Sequence, residues 1–142
     1  MTRPLECPCG GASPDNSIKR APDYAECCGR FIEDVESASV PATAMELMRS
    51  RYTAYVLGNT AYLRATWADA TCPEDLEASA NSNTRWLGLQ IKRHVIADIN
   101  HAEVEFIARY KVGGRAHRLH ETSRFERDNA GRWRYIDGDL HD

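Results

Sequence analysis

Four cysteines carry the clearest chemistry in this chain. They fall in two tight pairs, Cys7-Pro8-Cys9-Gly10 and Cys27-Cys28-Gly29, while the fifth, Cys72, stands alone. Thiolates are soft, charged ligands, and four of them satisfy the tetrahedral preference of Zn2+. A C-x-C pair sets two sulfurs on one side of an ion through a tight turn. An adjacent pair supplies the other two where the backbone bends, and a glycine after each pair permits that bend. Disulfides are one rival, although a bond between adjacent cysteines is strained and a reducing compartment disfavours the others. Free thiols are a second rival, set against the clustering of these cysteines. A redox pair is a third, without the usual C-x-x-C spacing. Structural zinc on Cys7, Cys9, Cys27 and Cys28 is the preferred reading. A closed four-thiolate site leaves no position for a reacting water.

The segment that must position these sulfurs, residues 1–35, offers little apolar periodicity and needs a staple. Residues 36–42 read as a linker ending in Pro41. Residues 43–142 then read as one α+β domain. Thr43 is a helix N-cap with Glu46 as its capping-box partner, and Met45, Met48, Tyr52, Tyr55 and Val56 recur at helical spacing up to Gly58. Thr60 is expected to cap a second helix carrying Ala61, Leu63, Ala65 and Trp67, which Cys72-Pro73 ends. A short helical turn is expected within 74–84, with Asn81, Ser82 and Asn83 as loop. From Trp86 the period changes to two. Leu87, Leu89, Ile91, Val95 and Ile99 alternate, followed by Val104, Phe106, Ala108, Tyr110 and Val112. Gly113-Gly114 is a hairpin turn. Leu119, Glu121, Ser123 and Phe125 share the next strand face, Asn129 to Gly131 turns the chain, and Trp133, Tyr135 and Ile136 lie in the last strand. Helices followed by a four-strand antiparallel meander give the α+β class.

Composition sets the outer bounds. The chain has 142 residues, 42% hydrophobic and 27% charged, which is globular and long enough for a real core. Its net charge of −3 argues against a broad surface for DNA. No apolar stretch has the length of a signal peptide or a membrane span, so the expected compartment is the cytoplasm, with no membrane partner.

CPCG and YAECCG resemble the two ends of the SEC-C zinc motif, named for its place at the C-terminus of the SecA translocase. MRSRYTAYVLGNTAYLRATW (48–67), RWLGLQI (85–91) and ETSRFERDNAGRWRYIDG (121–138) follow in order. The set resembles the YchJ family of uncharacterised bacterial proteins, across nearly the whole chain. The resemblance implies a nuclear transport factor 2-like domain, in which a curved antiparallel sheet and helices form a cone with an internal cavity. This chain departs from the pattern in three places. Residues 10–26 make a spacer about twice the usual length, no second SEC-C motif follows, and Ala68-Asp69 stands where relatives have His-Pro.

A cone cavity directs attention to Arg49, Tyr52, Trp67, Glu121, Ser123 and Tyr135 as ligand-binding candidates, with Tyr55, Trp86, His94, Glu105, Arg109 and Asp137 behind them. Each has a plainer reading. The arginines pair with surface acids, the aromatics fill the core, and Asp137 shapes a turn before Gly138. His94 sits on the polar side of its strand, and His141 is solvated. His101, His117 and His120 lie near one end of the sheet without diagnostic spacing. Glu121 lies among apolar neighbours and needs a cation, for which Arg49 is the natural partner. No phosphate loop and no nucleophile elbow is present. The expected function is a zinc-binding adaptor module that docks a protein partner through the cysteine segment, with a cavity for a small-molecule ligand. Acid–base enzymology in the cavity through Glu121 or Asp137 is the alternative. Contact with RNA or the ribosome through the basic stretch Arg109–Arg134 is the weaker one.

Overall fold

The computed structural model describes residues 4–15, 20–33, 40–76 and 83–141. A 3-10 turn (Tyr24–Glu26) and helices α1 (Gly29–Ile32), α2 (Ala44–Leu57) and α3 (Thr60–Ala65) precede strands β1 (Thr84–Asp98), β2 (His101–Val112), β3 (Arg115–Arg127) and β4 (Trp133–Leu140). The strands form one antiparallel sheet in sequence order. The expected α+β class is the one found. Most of the expected linker and of the expected turn at 74–84, Asn81 and Ser82 included, lies outside the described residues.

Local chemistry explains the helices. The Thr43 hydroxyl accepts from the Glu46 N–H at 3.1 Å, and the Glu46 carboxylate accepts from the Ala42 N–H at 3.0 Å. Both bonds satisfy donors at the N-terminal end of α2. Gly58, at φ 71°, closes the other end. α3 starts one residue earlier than expected, because the Asn59 side chain takes the capping bond from the Tyr62 N–H at 3.0 Å. It also ends sooner. Trp67 lies beyond it, in a parallel bridge to Tyr135, with the Tyr135 N–H on Thr66 O and the Ala68 N–H on Tyr135 O, both at 2.9 Å. This bridge ties the helical layer to the sheet edge.

Strand β1 corrects the simple alternation. Its register against β2 shifts between Trp86 and Gly88, between Ile91 and Arg93, and between Ile96 and Asp98. Each bulge turns the following residues to the other face. Leu89 and Ile91 face the helices opposite Ala108 and Phe106, while Leu87 is 47% exposed at the first bulge. The second bulge puts His94, not Val95, opposite the buried Val104. His94 is therefore half-buried rather than solvated; its Nε2 has no hydrogen-bond partner, and burial lowers its pKa. Ile99 sits in the β1–β2 turn, 75% exposed. Asp137-Gly138 is no turn either. It lies within β4, where Asp137 pairs with Arg124 at 2.6 Å.

The core lies between α2, α3 and the inner sheet face. Leu47 and Leu63 are fully buried, with Val104, Phe106, Ala108 and Phe125 facing them from the strands. Burying one such leucine contributes about 1.5–3 kcal/mol. The four paired cysteines belong to the same continuous cluster of buried residues.

Candidate metal centre and cavity

Two short segments build the cysteine site. Residues 5–7 run antiparallel to 22–24, with the Cys7 N–H on Pro22 O at 2.8 Å, the Tyr24 N–H on Leu5 O at 2.9 Å and a bridge between Glu6 and Asp23. This pairing closes the long spacer at its base. After Cys7 the chain turns, with the Gly10 N–H on Cys7 O at 2.9 Å and the Ala12 N–H on Cys9 O at 3.2 Å. Gly10 and Gly11 have φ of 66° and 69°, a region that glycine enters without strain. Gly29 serves differently. A Cβ there would lie 2.6 Å from the Tyr24 carbonyl oxygen, so its role is close packing. That contact lets Cys27 leave the 3-10 turn and Cys28 cap α1.

The four sulfur atoms lie within 4.8 Å of one another, with Cys9 and Cys27 at 3.6 Å. All four cysteines are free and buried, at 1–6% exposure. Four sulfurs at Zn–S distances sit about 3.8 Å apart around a tetrahedral ion. The donor set and the spacing therefore fit a metal ion. The Gly11 N–H donates to Cys9 Sγ at 3.3 Å, a bond that orients a ligand and tempers its charge. The thiols also perturb one another. Hydrogen bonds from Cys27, Cys28 and Cys9 hold Cys7 far below the usual thiol range, while Cys28 is driven up by the same crowding. A cation in their midst replaces the shared protons. The long spacer does not keep the two pairs apart.

The segment packs on α2. Cys7 Sγ lies 3.8 Å from Thr53 Oγ1, and the Arg49 guanidinium donates to Ala12 O at 3.1 Å. Arg30 pairs with Glu46 at 3.3 Å. Arg49 is thus turned towards the cysteine segment and does not meet Glu121.

On the adjoining stripe of α2 lies a cavity of about 230 Å³. Tyr52, Glu121, Ser123 and Tyr135 line it, together with Trp86 and Tyr55. Its cation is Arg51, which composition alone did not single out. The signal was present, because Arg51 falls on the helical stripe of Met48, Tyr52 and Tyr55 and Arg49 does not. Arg51 is 4% exposed and donates to Leu63 O at 2.9 Å and Thr66 Oγ1 at 2.8 Å. Its guanidinium lies over the rings of Trp67 and Tyr135, at 4.8 and 4.6 Å. Trp67 therefore stands behind the arginine, with its indole N–H buried and unpartnered. Among the described residues no carboxylate pairs with Arg51, and desolvation lowers its pKa. Glu121 instead accepts from the Ser123 hydroxyl at 2.5 Å and the Tyr135 hydroxyl at 3.2 Å. Gly138 leaves room for it, since a Cβ there would collide with the Glu121 carboxylate. Burial pushes Tyr52 up to about 12 and Tyr135 further in the same direction, so both hydroxyls keep their protons at neutral pH.

The remaining candidates disperse. Arg109 faces Arg118 across the ladder, and both are exposed. His101 and His117 sit at opposite ends of β2–β3, opposite Glu126 and Tyr110, so they form no group. Arg124 and Arg134 in the basic stretch are held by Asp137, Asp139 and Asp128. Among the described residues no helix is long and apolar enough to cross a membrane.

Known proteins give the arrangement its context. The YchJ middle NTF2-like domain matches residues 43–138. A UPF0225 protein of Ralstonia nicotianae is 57% identical over 94% of this chain and 90% of its own. A UPF0225 protein of Cupriavidus metallidurans is 53% identical over 99% and 93%. The crystal structure of a SEC-C motif-containing protein from Psychrobacter arcticus superposes with a TM-score of 0.77 at 29% identity, over 96% of this chain and 83% of that one. The solution structure of a SEC-C motif-containing protein from Rhodopseudomonas palustris gives the same TM-score and identity over 97% and 100%. With helices on a four-strand sheet and a four-cysteine cluster ahead of them, this chain belongs to the family of proteins with the YchJ middle NTF2-like domain.

Proposed function

We propose that this chain is a zinc-organised binding module of a reducing, cytoplasmic compartment, whose cavity receives a small carboxylate. The observation that carries the ligand reading is Arg51, a buried cation on a cavity wall that neutral acceptors alone hold among the described residues. A buried charge without a counter-ion is costly, and a ligand carboxylate is the group that offsets the cost best. The volume of about 230 Å³ supports a compact ligand, smaller than typical drug-sized occupants. Zn2+ suits the cysteines because they offer four thiolates in a closed, buried set, which supports a structural ion.

Binding is favoured over acid–base catalysis by the state of Glu121. Two hydroxyl groups already donate to the same Glu121 oxygen, Oε2, which makes the carboxylate a fixed post in the wall. Docking of a protein partner through the cysteine segment is a second reading, supported by Leu5, which is 89% exposed beside the buried centre.

The test is thermal unfolding and NMR titration of zinc-loaded protein with acetate, lactate and pyruvate. A ligand at about 100 times its Kd adds ~2.7 kcal/mol of stability. Stabilisation by one of these acids, lost in Arg51→Met, supports the reading. Equal response of wild type and Arg51→Met, or none in either, sinks it.

A further inference from the structure

We propose that Glu105, His120 and His141 form a second, exchangeable site for a borderline divalent transition-metal ion on the outer face of the sheet. One ligating atom from each residue lies within 4.8 Å of the others. Three strands make the meeting. Glu105 on β2 stands opposite Thr122 on β3, and His120 lies two residues from Thr122 on the same strand face. The residue just past β4, His141, is drawn in by its backbone N–H on His120 O at 2.8 Å.

The side chains are already set against one another. His120 Nε2 lies 2.7 Å from Glu105 Oε2. The His120 and His141 rings stack at 4.3 Å between centroids and 24° between planes. His141 Nε2 shares a hydrogen bond with Thr122 Oγ1 at 2.7 Å, which fixes the ring. A Glu–His ion pair alone accounts for the first contact and for nothing about His141. Beneath them Ile107, opposite His120, is 4% exposed and gives the group an apolar floor. A pocket of about 150 Å³ opens beside it, lined by Glu105, Thr122, His141, Glu103, Val95 and Arg93. Arg93 stands opposite Glu105 across the β1–β2 ladder, and Glu103 adds a second carboxylate to the lining.

Two imidazoles and one carboxylate suit Zn2+, Ni2+, Co2+ and Cu2+, with bonds of about 2.0–2.2 Å that spread the donors to roughly 3.4 Å apart. The three donors, within 4.8 Å of one another and 2.7 Å apart at the His120–Glu105 pair, lie on either side of that spacing. Three protein ligands on an open face leave positions for water, so this ion exchanges where the thiolate-held one stays.

The experiment uses tag-free, zinc-replete protein titrated with Co2+ by calorimetry and absorption. One further ion per chain is expected, with the weak visible bands of nitrogen and oxygen ligands and no thiolate charge transfer. His120→Ala and His141→Ala each weaken that binding at least about tenfold and leave the first zinc in place. His141 lies past the last strand residue, so its variant keeps the fold and decides the matter if His120→Ala does not fold. No second ion, a spectrum with thiolate charge transfer only, or unchanged binding in His141→Ala overturns the proposal.

Discussion

The cysteine centre and the cavity lean on adjoining faces of one helix and solve opposite problems. On one stripe of α2, Arg49 and Thr53 meet a site whose four ligands are identical, buried and within 4.8 Å. On the next, Arg51, Tyr52 and Tyr55 meet space, lined by a cation, a carboxylate and hydroxyls that do not neutralise one another. The first is complete once an ion enters. The second holds a cation and a carboxylate that are each bonded to neutral groups and not to one another. Stability concentrates where the donor set is closed, and selectivity where it is open.

The largest effect that would break this contrast is at the centre. Cys28→Ser removes one thiolate from the set and is expected to abolish stoichiometric zinc, read by elemental analysis. Zinc in small cysteine sites contributes on the order of 10 kcal/mol to folding. The melting temperature is therefore expected to drop sharply, and an unchanged melting temperature would mean that the ion is peripheral. Gly29→Ala comes next. The new methyl group meets the Tyr24 carbonyl, and chemical denaturation should register a loss of ~1–3 kcal/mol with weaker zinc retention.

Arg51→Met sharpens the other side. Replacing a buried, unpaired charge by an apolar chain of similar size is expected to change stability by no more than ~1 kcal/mol while carboxylate binding disappears. A loss of several kcal/mol in urea unfolding would make Arg51 a structural brace for α3 instead. Gly138→Ala should act more mildly still, pushing the Glu121 carboxylate away from Tyr135 and altering which acids bind, measured by competition. The smallest effect belongs to the β3–β4 turn. Burial raises the Asp128 pKa, but the Arg132 N–H, the Arg134 guanidinium and the Ala130 N–H outweigh it and leave the carboxyl below its usual range. That contribution is present above the unfolded value of about 3.9 and is lost as pH falls through the lower folded one. Asp128→Asn should cost at most ~1 kcal/mol at neutral pH and flatten stability across that acid window.

What could be read beforehand was what the chain encodes locally. Paired cysteines announce a metal site because both members of each pair lie within three residues. Thr43, Gly58 and Gly113-Gly114 mark ends and turns through their own backbone chemistry. The misreadings came from effects that local pattern does not carry. Bulges in β1 exchanged Val95 for His94 on the inner face, and no residue type at Lys92 signals such a shift. Arg49 and Arg51 differ only by rotation about the helix, and Arg49, the natural partner for Glu121 on sequence grounds, is the one turned away from the cavity. Glu105, His120 and His141 meet only because of strand register, which is a property of the assembled sheet.

The backbone pairing of Glu6 with Asp23 has a practical consequence. It brings the chain back beside the first cysteine pair, so the length of the excursion between the pairs can change without moving the two pairs apart. Lengthening a flexible loop costs only about 0.6 kcal/mol per doubling. A fluorophore-bearing or affinity peptide spliced between Asp15 and Arg20 should therefore leave metal retention intact, which turns the spacer into a labelling handle.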